Sequence, residues 1–248
     1  MIAVKTEEQL AKMRAAGKVV GDTLRFIEPY VRPGISTLEL NSMIEDHIRS
    51  FGAVPSFKNY NGFPAASCIS TDDIVVHGIP SLKTLAEGQI VSIDVGAVLD
   101  GYHGDAARTF PVGKVSAEKL KLIEVTKQSF FEGIKYAVAG RRLGDISHAV
   151  QSYAESFGYG VVREMVGHGI GTKLHEPPDV PNYGEAGTGL KLYAGNTLAI
   201  EPMINLGAPY IKIDARDGWT CRTRDGLPSA HYENTIVVGE REAEILTL

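Results

Sequence analysis

The chain has 248 residues, 44% of them hydrophobic, which suits one large domain or two fused halves with a shared core. It carries 25 Lys and Arg against 30 Asp and Glu, and the resulting charge of −5 has the wrong sign for a protein that binds nucleic-acid backbones. The two cysteines, Cys68 and Cys221, lack the close spacing of a thiolate zinc site. We therefore expect neither such a site nor a disulfide framework, with a single Cys68–Cys221 disulfide as the alternative.

The N-terminal segment is unlike a signal peptide, because charge appears at Lys5, Glu7 and Glu8 before any apolar region develops. No apolar run reaches the ~20 residues of a membrane span. These features predict a protein of the reducing cytoplasm without membrane association.

Helical periodicity predicts four helices, at residues 6–28, 36–50, 116–138 and 144–156. Strand-like stretches lie at residues 65–71, 89–99, 103–112, 161–166, 196–205, 210–223 and 231–238. This inventory predicts an α+β fold.

The order of the elements repeats once along the chain. Gly34 and Gly140 precede corresponding helices, and Phe51–Gly52 and Phe157–Gly158 follow those helices at the same offset. Chance similarity between two amphipathic helices is the alternative explanation.

A second match supports the repeat. EGQIVSID at 87–94 resembles AGNTLAIE at 194–201, so Asp94 and Glu201 occupy the same point of an apolar strand. Two related halves that each aim a carboxylate at their common seam would create one shared polar site. The predicted halves are about 1–113 and 114–248 of a single domain, 1–248.

Asp94 lies in the apolar segment IVSIDVGAVL, where an unpaired carboxylate would be costly and therefore needs a cationic partner. Asp100–Gly101 predicts a two-residue hairpin turn, which sets Asp94 opposite Ala107. Asp105 then shares a face with Asp94 as a diagonal neighbour, about 7–8 Å away at the backbone. Asp105 alone would be interpreted as a turn residue, but the two acids together predict a metal site.

Glu201 in LAIEPM and Glu233 in AHYENTIVV repeat the pattern of an acid within apolar strand sequence. His168 lies in the glycine-rich GHGIG, and His175 begins the HEPP segment, which is predicted to be a loop stiffened by its two prolines. Either histidine alone could be structural. Carboxylates with an imidazole suit two divalent cations such as manganese, iron(II), cobalt or zinc. Such a pair can acidify a water and stabilise the oxyanion formed when that water attacks a carbonyl.

The remaining histidines are predicted to be surface or structural residues: His47, His103, His148 and His231. A supporting role is the alternative for His231, because it lies two residues before Glu233 on the same face of a predicted strand. The sequence contains no P-loop, dinucleotide-binding glycine motif or GxSxG nucleophile elbow.

The ordered motifs HGIP, IDVG with DGYHGD, GHGIG with HEPP, AIEPM and YENT resemble those of the methionine aminopeptidase family across essentially the whole chain. The resemblance implies the pseudo-twofold pita-bread fold, with helices around antiparallel sheets. It also implies a metal-dependent hydrolase that removes the initiator methionine when the second residue is small. The implied metal ligands are Asp94, Asp105, His168, Glu201 and Glu233, with Asp105 and Glu233 shared by two ions.

The resemblance implies three catalytic residues. Glu201 would help to deprotonate the attacking water, His77 would lie beside the substrate and the departing amine, and His175 would donate to the oxyanion. An alkali cation is implied near Ser229. The methionine pocket would be lined by Tyr60, Phe63, Cys68 and Trp219, for which ordinary core packing is the alternative.

The interval between Glu201 and Glu233 is too short for the helical subdomain of the type II form, and the short N-terminal segment resembles the bacterial type I form. Leu174 and His231 depart from the common family pattern and affect the expected pocket shape. A proline-specific peptidase of the same fold and a non-catalytic peptide-binding module are the alternative functions.

The implied partners are the N-termini of nascent polypeptides. A transient ribosome contact is compatible with this role, and a monomer without direct nucleic-acid specificity is expected. Because Ile2 is bulky, Met1 should be retained in the mature protein.

Overall fold

The structure, a computed structural model, describes residues 3–248. The expected retention of Met1 before Ile2 therefore concerns residues outside the described range. None of the helices within that range is long and apolar enough to cross a bilayer.

The four predicted helices are confirmed as α1 Glu7–Ile27, α2 Thr37–Ser50, α3 Ala117–Ile134 and α4 Leu143–Glu155. Thr6 and Ser36 begin α1 and α2 as N-caps in reciprocal capping boxes, which satisfy backbone N–H groups that lack helical partners. α3 ends four residues before the predicted end at residue 138. The Ala139 N–H donates instead to the Gly239 carbonyl, 2.8 Å away, so the chain leaves the helix to pair with a distant segment.

Within residues 3–248 the strands are, in chain order, β1 Val54–Pro55, β2 Ser67–Thr71, β3 Ile74–Val76, β4 Ile90–Leu99, β5 Tyr102–Pro111, β6 Gly160–Val161, β7 Gly167–Gly169, β8 Glu176–Val180, β9 Thr197–Ile200, β10 Met203–Asn205, β11 Ile211–Ile213, β12 Cys221–Thr223, β13 Ser229–His231, β14 Asn234–Val237 and β15 Glu244–Ile245. They form four antiparallel sheets with the orders β1-β4-β2 with β5 on β4, β13-β10-β6, β11-β12-β3 and β15-β14-β9-β7-β8. The α+β inventory is therefore confirmed.

The predicted hairpin register is confirmed. β4 and β5 pair along their whole lengths, with Asp94 opposite Ala107 and Asp105 opposite Gly96. Asp94 and Asp105 are thus diagonal neighbours on one face. The turn residue Asp100 has a φ of 50°, a left-handed conformation that Asp tolerates better than most side chains.

Two predicted strands are wrong as continuous elements. The stretch 196–205 breaks at Glu201–Pro202, because Ile200 pairs with Asn234 in one sheet and Met203 pairs with His231 in another. The stretch 231–238 breaks at Tyr232–Glu233 for the same reason. Both segments pass from one sheet to another at these breaks. Proline lacks an N–H donor and therefore suits the break at Glu201–Pro202.

Three other stretches also differ from the prediction. Only Val161 of the stretch 161–166 lies in a strand, as the last residue of β6, and 210–223 is split by a turn between β11 and β12. The proline-rich HEPP segment, expected as a loop, enters β8. It is tolerated there because β8 lies at a sheet edge, where half of the backbone groups need no strand partner.

Close packing joins α1 to distant parts of the chain. A Cβ at Gly17 would lie 2.4 Å from the Leu246 carbonyl oxygen, and one at Gly104 would lie 2.9 Å from the Gly17 Cα. Only glycine permits these approaches.

Cys68 and Cys221 are both buried free thiols, so the alternative of a disulfide between them is wrong.

Candidate metal centre and substrate cleft

Two sheets meet where the predicted ligands lie. Asp94 and Asp105 lie on β4 and β5, His168 lies on β7, and Glu201 and Glu233 occupy the two breaks where strands change sheets. Side chains within a strand alternate between the two faces of the sheet, and a residue at a break is not bound by that alternation. Both glutamate side chains can therefore reach the place where the two sheets meet.

Hydrogen bonds to backbone groups join the two sheets where the predicted ligands lie. The Glu233 N–H donates to the Ala107 carbonyl over 3.0 Å. The Thr235 hydroxyl accepts from the Asp105 N–H and donates to its carbonyl, each over 2.9 Å. The strand that bears Asp105 is therefore held directly against the strand that follows Glu233.

The ligand atoms form two overlapping groups. Asp105, His168 and Glu233 offer atoms that all lie within 4.8 Å of one another, and so do Glu201, His231 and Glu233. The His168 Nε2 lies 3.7 Å from the Asp105 Oδ2 and 3.8 Å from the Glu201 Oε1. Glu233 belongs to both groups.

The donors fit divalent cations. Buried oxygen atoms of Asp94, Asp105 and Glu233 have no hydrogen-bond partner among the described residues. The Arg108 guanidinium behind them donates to the carbonyls of Ala107 and Glu233 and to other groups outside the cluster, not to these carboxylates. Three carboxylates with unsatisfied oxygens, buried beside that of Glu201, require compensating positive charge when ionised, which divalent cations would supply through the same oxygens.

Burial shifts the titration of the whole cluster. It raises the pKa of Asp94 to about 7 and that of Glu201 to about 8, and it raises the pKa of Asp105 and of Glu233 well above their usual ranges. Burial also lowers the pKa of His168 to about 3. The metal-free centre therefore holds protons on its carboxylates and keeps this imidazole neutral.

These shifts predict a pH dependence for the metal-free protein. Its folded state binds more protons on the carboxylates than the unfolded chain does, so stability should fall as the pH rises through their folded pKa values. The buried neutral imidazoles have the opposite effect and make stability rise with pH. This effect ends above the pKa of about 6.5 that histidine has in the unfolded chain. We therefore expect the melting temperature of the metal-free protein to fall between about pH 6.5 and 8.

Calorimetry of chelator-treated protein would measure this trend. Glu201→Gln, which removes one of the titrating groups, should flatten it, as should saturation with a divalent cation. A metal-free melting temperature that is constant over the interval would contradict the assignment of retained protons.

The predicted pocket residues line one cavity of about 150 Å³ together with the predicted ligands. Phe63 and Trp219 meet edge to face with ring centroids 5.2 Å apart, and Cys68 lies directly opposite Asp94 across β2 and β4. Phe57, Asn61 and Leu174 also line the cavity. Of these, only Leu174 was associated with the pocket from the sequence.

His77 and His175 both line this cavity. His77 has a left-handed backbone with φ 59°, and burial lowers its pKa to about 4. Burial also lowers the pKa of His175, whose Nδ1 lies 2.8 Å from the Tyr60 hydroxyl. A Tyr60 hydroxyl that donates to Nδ1 leaves the proton of the neutral ring on Nε2, where it is available for donation.

A wider cleft of about 650 Å³ adjoins the cavity and shares four of its lining side chains: His77, His168, His175 and Glu201. Its outer walls include Glu164, Met165, Asp179 and Met203. The four shared residues therefore form the passage from the enclosed cavity to the open cleft.

The surface interpretation of His231 is wrong, because its side chain is 2% exposed. Its Nε2 lies 3.4 Å from the Glu201 Oε2 and 4.0 Å from the Glu233 Oε2. β13 ends at His231, so the proximity comes from the sheet change and not from a shared strand face. The sequence offered its two-residue spacing from Glu233 as the one indication of this position.

The other predicted residues occupy ordinary structural positions. His47 stacks on Phe26, and His103 lies 2.8 Å from the Ser56 hydroxyl through Nδ1. His148 is exposed. The Ser229 hydroxyl donates to the Ile204 carbonyl over 3.2 Å, and the alkali cation expected near it stays a prediction.

Comparison with known proteins places this centre in a family. Residues 11–240 match the sequence profile of metallopeptidase family M24. The methionine aminopeptidase of Clostridium acetobutylicum is 53% identical over 249 aligned residues, covering 100% of this chain and 99% of its relative. The crystal structure of the methionine aminopeptidase from Rickettsia prowazekii matches with a TM-score of 0.99 at 46% identity, covering 100% of both chains.

The prolidase from Pyrococcus furiosus has the same fold, with a TM-score of 0.81 at 23% identity over 99% of this chain and 65% of that one. Fold and site together define a metallopeptidase with the pita-bread architecture, as the sequence motifs predicted. The chain belongs to metallopeptidase family M24 and, within it, to the methionine aminopeptidases of the bacterial type I form.

Proposed function

We propose that this enzyme removes the initiator methionine from nascent proteins, preferably when the second residue is small. One observation carries the proposal: the same cavity is lined by the apolar pocket side chains and by the carboxylate cluster. Cys68 and Asp94 are cross-strand partners, so a side chain in the pocket brings its own carbonyl close to the acids. A cavity of about 150 Å³ is smaller than the ~300 Å³ of typical small-molecule sites and suits a single side chain.

Two divalent cations would be held by Asp94, Asp105, His168, Glu201 and Glu233. Asp105 and Glu233 would be shared between the ions, a role supported for Glu233 by its membership of both donor groups. Such cations lower the pKa of water and polarise a carbonyl. Cobalt, manganese, iron(II) and zinc all suit these donors, and an alkali cation near Ser229 is a separate proposal.

Three side chains would move or hold protons. The Glu201 carboxylate, which lines both the cavity and the cleft, would accept the proton of the attacking water. The His175 Nε2–H would donate to the developing oxyanion while the Tyr60 hydroxyl holds Nδ1. His77, which borders both the pocket and the cleft, would contact the scissile peptide group and the departing amine.

The passage between pocket and cleft explains the preference for a small second residue. A methionine side chain in the pocket leaves the next residue among His77, His168, His175 and Glu201. Branched or long side chains would overpack this passage, whereas the residues beyond it would reach the open cleft.

The partners would be nascent polypeptide N-termini in the cytoplasm, where translation occurs, with a transient ribosome contact and no direct nucleic-acid or membrane recognition. We further propose that residues 1–248 act as one monomeric catalytic domain of two related halves.

Peptide cleavage tests the function directly. Met-Ala-Ser should be cleaved with a kcat/KM about fivefold to 150-fold above that of Met-Leu-Ser, because overpacking of the passage costs about 1–3 kcal/mol. Turnover should require added divalent metal after chelation. Equal rates on both peptides would contradict the assignment, hydrolysis confined to Xaa-Pro peptides would indicate a proline-specific peptidase, and binding without turnover would indicate a non-catalytic module.

A further inference from the structure

A partly buried ion pair lies beside the segment that carries His175. The Lys5 Nζ lies 2.8 Å from the Glu176 Oε2, although the two residues are 171 positions apart. Their side chains are only 8% and 16% exposed, so solvent screens the pair far less than it screens a surface pair. Glu176 directly follows His175 and is paired with Gly169, the neighbour of His168.

The Glu176 carboxylate closes the turn on which His175 lies. Its Oε1 accepts from the Lys173 N–H over 3.2 Å and from the Thr172 hydroxyl over 3.4 Å. A Cβ at Gly171 would lie 2.5 Å from the same oxygen and 2.8 Å from the Lys5 Nζ, so glycine makes room for the pair. The turn at residues 171–176 is therefore organised around one carboxylate and its lysine partner.

Lys5 is anchored independently of this turn. Its N–H donates to the Gly195 carbonyl over 2.8 Å, and Val4 forms an antiparallel bridge with Asn196. Those contacts lie just before β9, the strand that leads to Glu201. The ion pair consequently fixes the turn of His175 relative to the strand that positions Glu201.

On the basis of the proposed function, we propose that Lys5 is a positioning residue for catalysis. Its ion pair with Glu176 holds the His175 backbone at the distance from which the imidazole reaches the oxyanion. Tyr60 orients the ring itself through Nδ1. Lys5 touches neither substrate nor metal in this role and acts only through the 171–176 turn.

Lys5→Met should lower kcat for Met-Ala-Ser by about tenfold to 100-fold, because misplacement of a catalytic group by about 1 Å has effects of that size. KM and metal affinity should stay within about twofold, since the pocket and the metal ligands are untouched. Lys5→Arg should restore most of kcat because arginine can also pair with Glu176. Lys135→Met, which removes an exposed pair with Glu132 on the surface of α3, is the matched control and should keep the wild-type rate.

A double-mutant comparison separates positioning from general stabilisation. If Lys5 acts through His175, adding Lys5→Met to His175→Ala should lower kcat no further. A wild-type kcat in Lys5→Met, or an equal additional loss in the His175→Ala background, would overturn the proposal. If Lys5→Met does not fold, Glu176→Gln is measured in both backgrounds with the same two criteria. Wild-type cleavage of Met-Ala-Ser, measured alongside, reports on the proposed function separately.

Discussion

Asp105→Asn is expected to abolish most activity by lowering metal occupancy. The substitution keeps the shape of a side chain that is 3% exposed, but it removes a negative charge and one carboxylate oxygen from the centre of the cluster. Loss of hydrogen-bonded support around a metal ligand commonly lowers metal affinity 10–100-fold, so loss of a shared ligand should cost at least about 100-fold. Activity at limiting metal should fall by at least the same factor.

Calorimetric metal titration of chelator-treated protein, followed by peptide kinetics, would measure both effects. Asp100→Asn is the matched control, because it makes the same chemical change at the exposed turn of the same hairpin. Its left-handed backbone accommodates asparagine, so it should bind metal normally. Normal binding of two metals and full activity in Asp105→Asn would make Asp105 a structural residue only.

His168→Ala and His175→Ala should both lose activity, but for different reasons. His168 lies within 3.8 Å of two carboxylates of the cluster, so its loss should weaken metal binding through the missing nitrogen ligand. His175 contacts the His168 ring edge to face, with centroids 4.3 Å apart, and has its Nδ1 beside Tyr60. Its loss should leave both metals bound and lower kcat by about 10²–10³, the usual effect of removing one oxyanion donor.

The two variants are distinguished by kinetics at saturating metal, after occupancy has been measured by titration. A turnover deficit that persists in His175→Ala at full occupancy supports oxyanion donation. Recovery of the wild-type rate by excess metal would instead make His175 a ligand, and unchanged metal affinity in His168→Ala would remove His168 from the ligand set.

The sequence was informative wherever local chemistry and local geometry agreed. Asp94 could be identified because a carboxylate in an apolar strand needs a partner, and the Asp100–Gly101 turn then fixed its register against the strand of Asp105. The four helices could be predicted from the periodic spacing of their apolar residues, which is also a local property of the sequence.

The missed features all depend on distant parts of the chain. The breaks at Glu201 and Glu233 arise because each strand exchanges one pairing partner for another, which no local pattern records. His231 is buried for the same reason, because the sheet change directs it toward Glu201. The ion pair of Lys5 with Glu176 joins residues that are 171 positions apart. Neither residue is unusual in its local sequence.

The contact of Gly17 with the Leu246 backbone bears on how the protein folds as it is synthesised. Thr247 extends this contact toward the metal centre, because its hydroxyl donates to Asn234, and its carbonyl accepts from Arg108. A ribosome-bound chain that already contains α1 and β5 would leave this face of the helix uncovered until residue 246 has emerged. Packing of α1 and of the strands beside the metal centre therefore depends on contacts between residues far apart in the sequence, a kind of contact that forms slowly during folding.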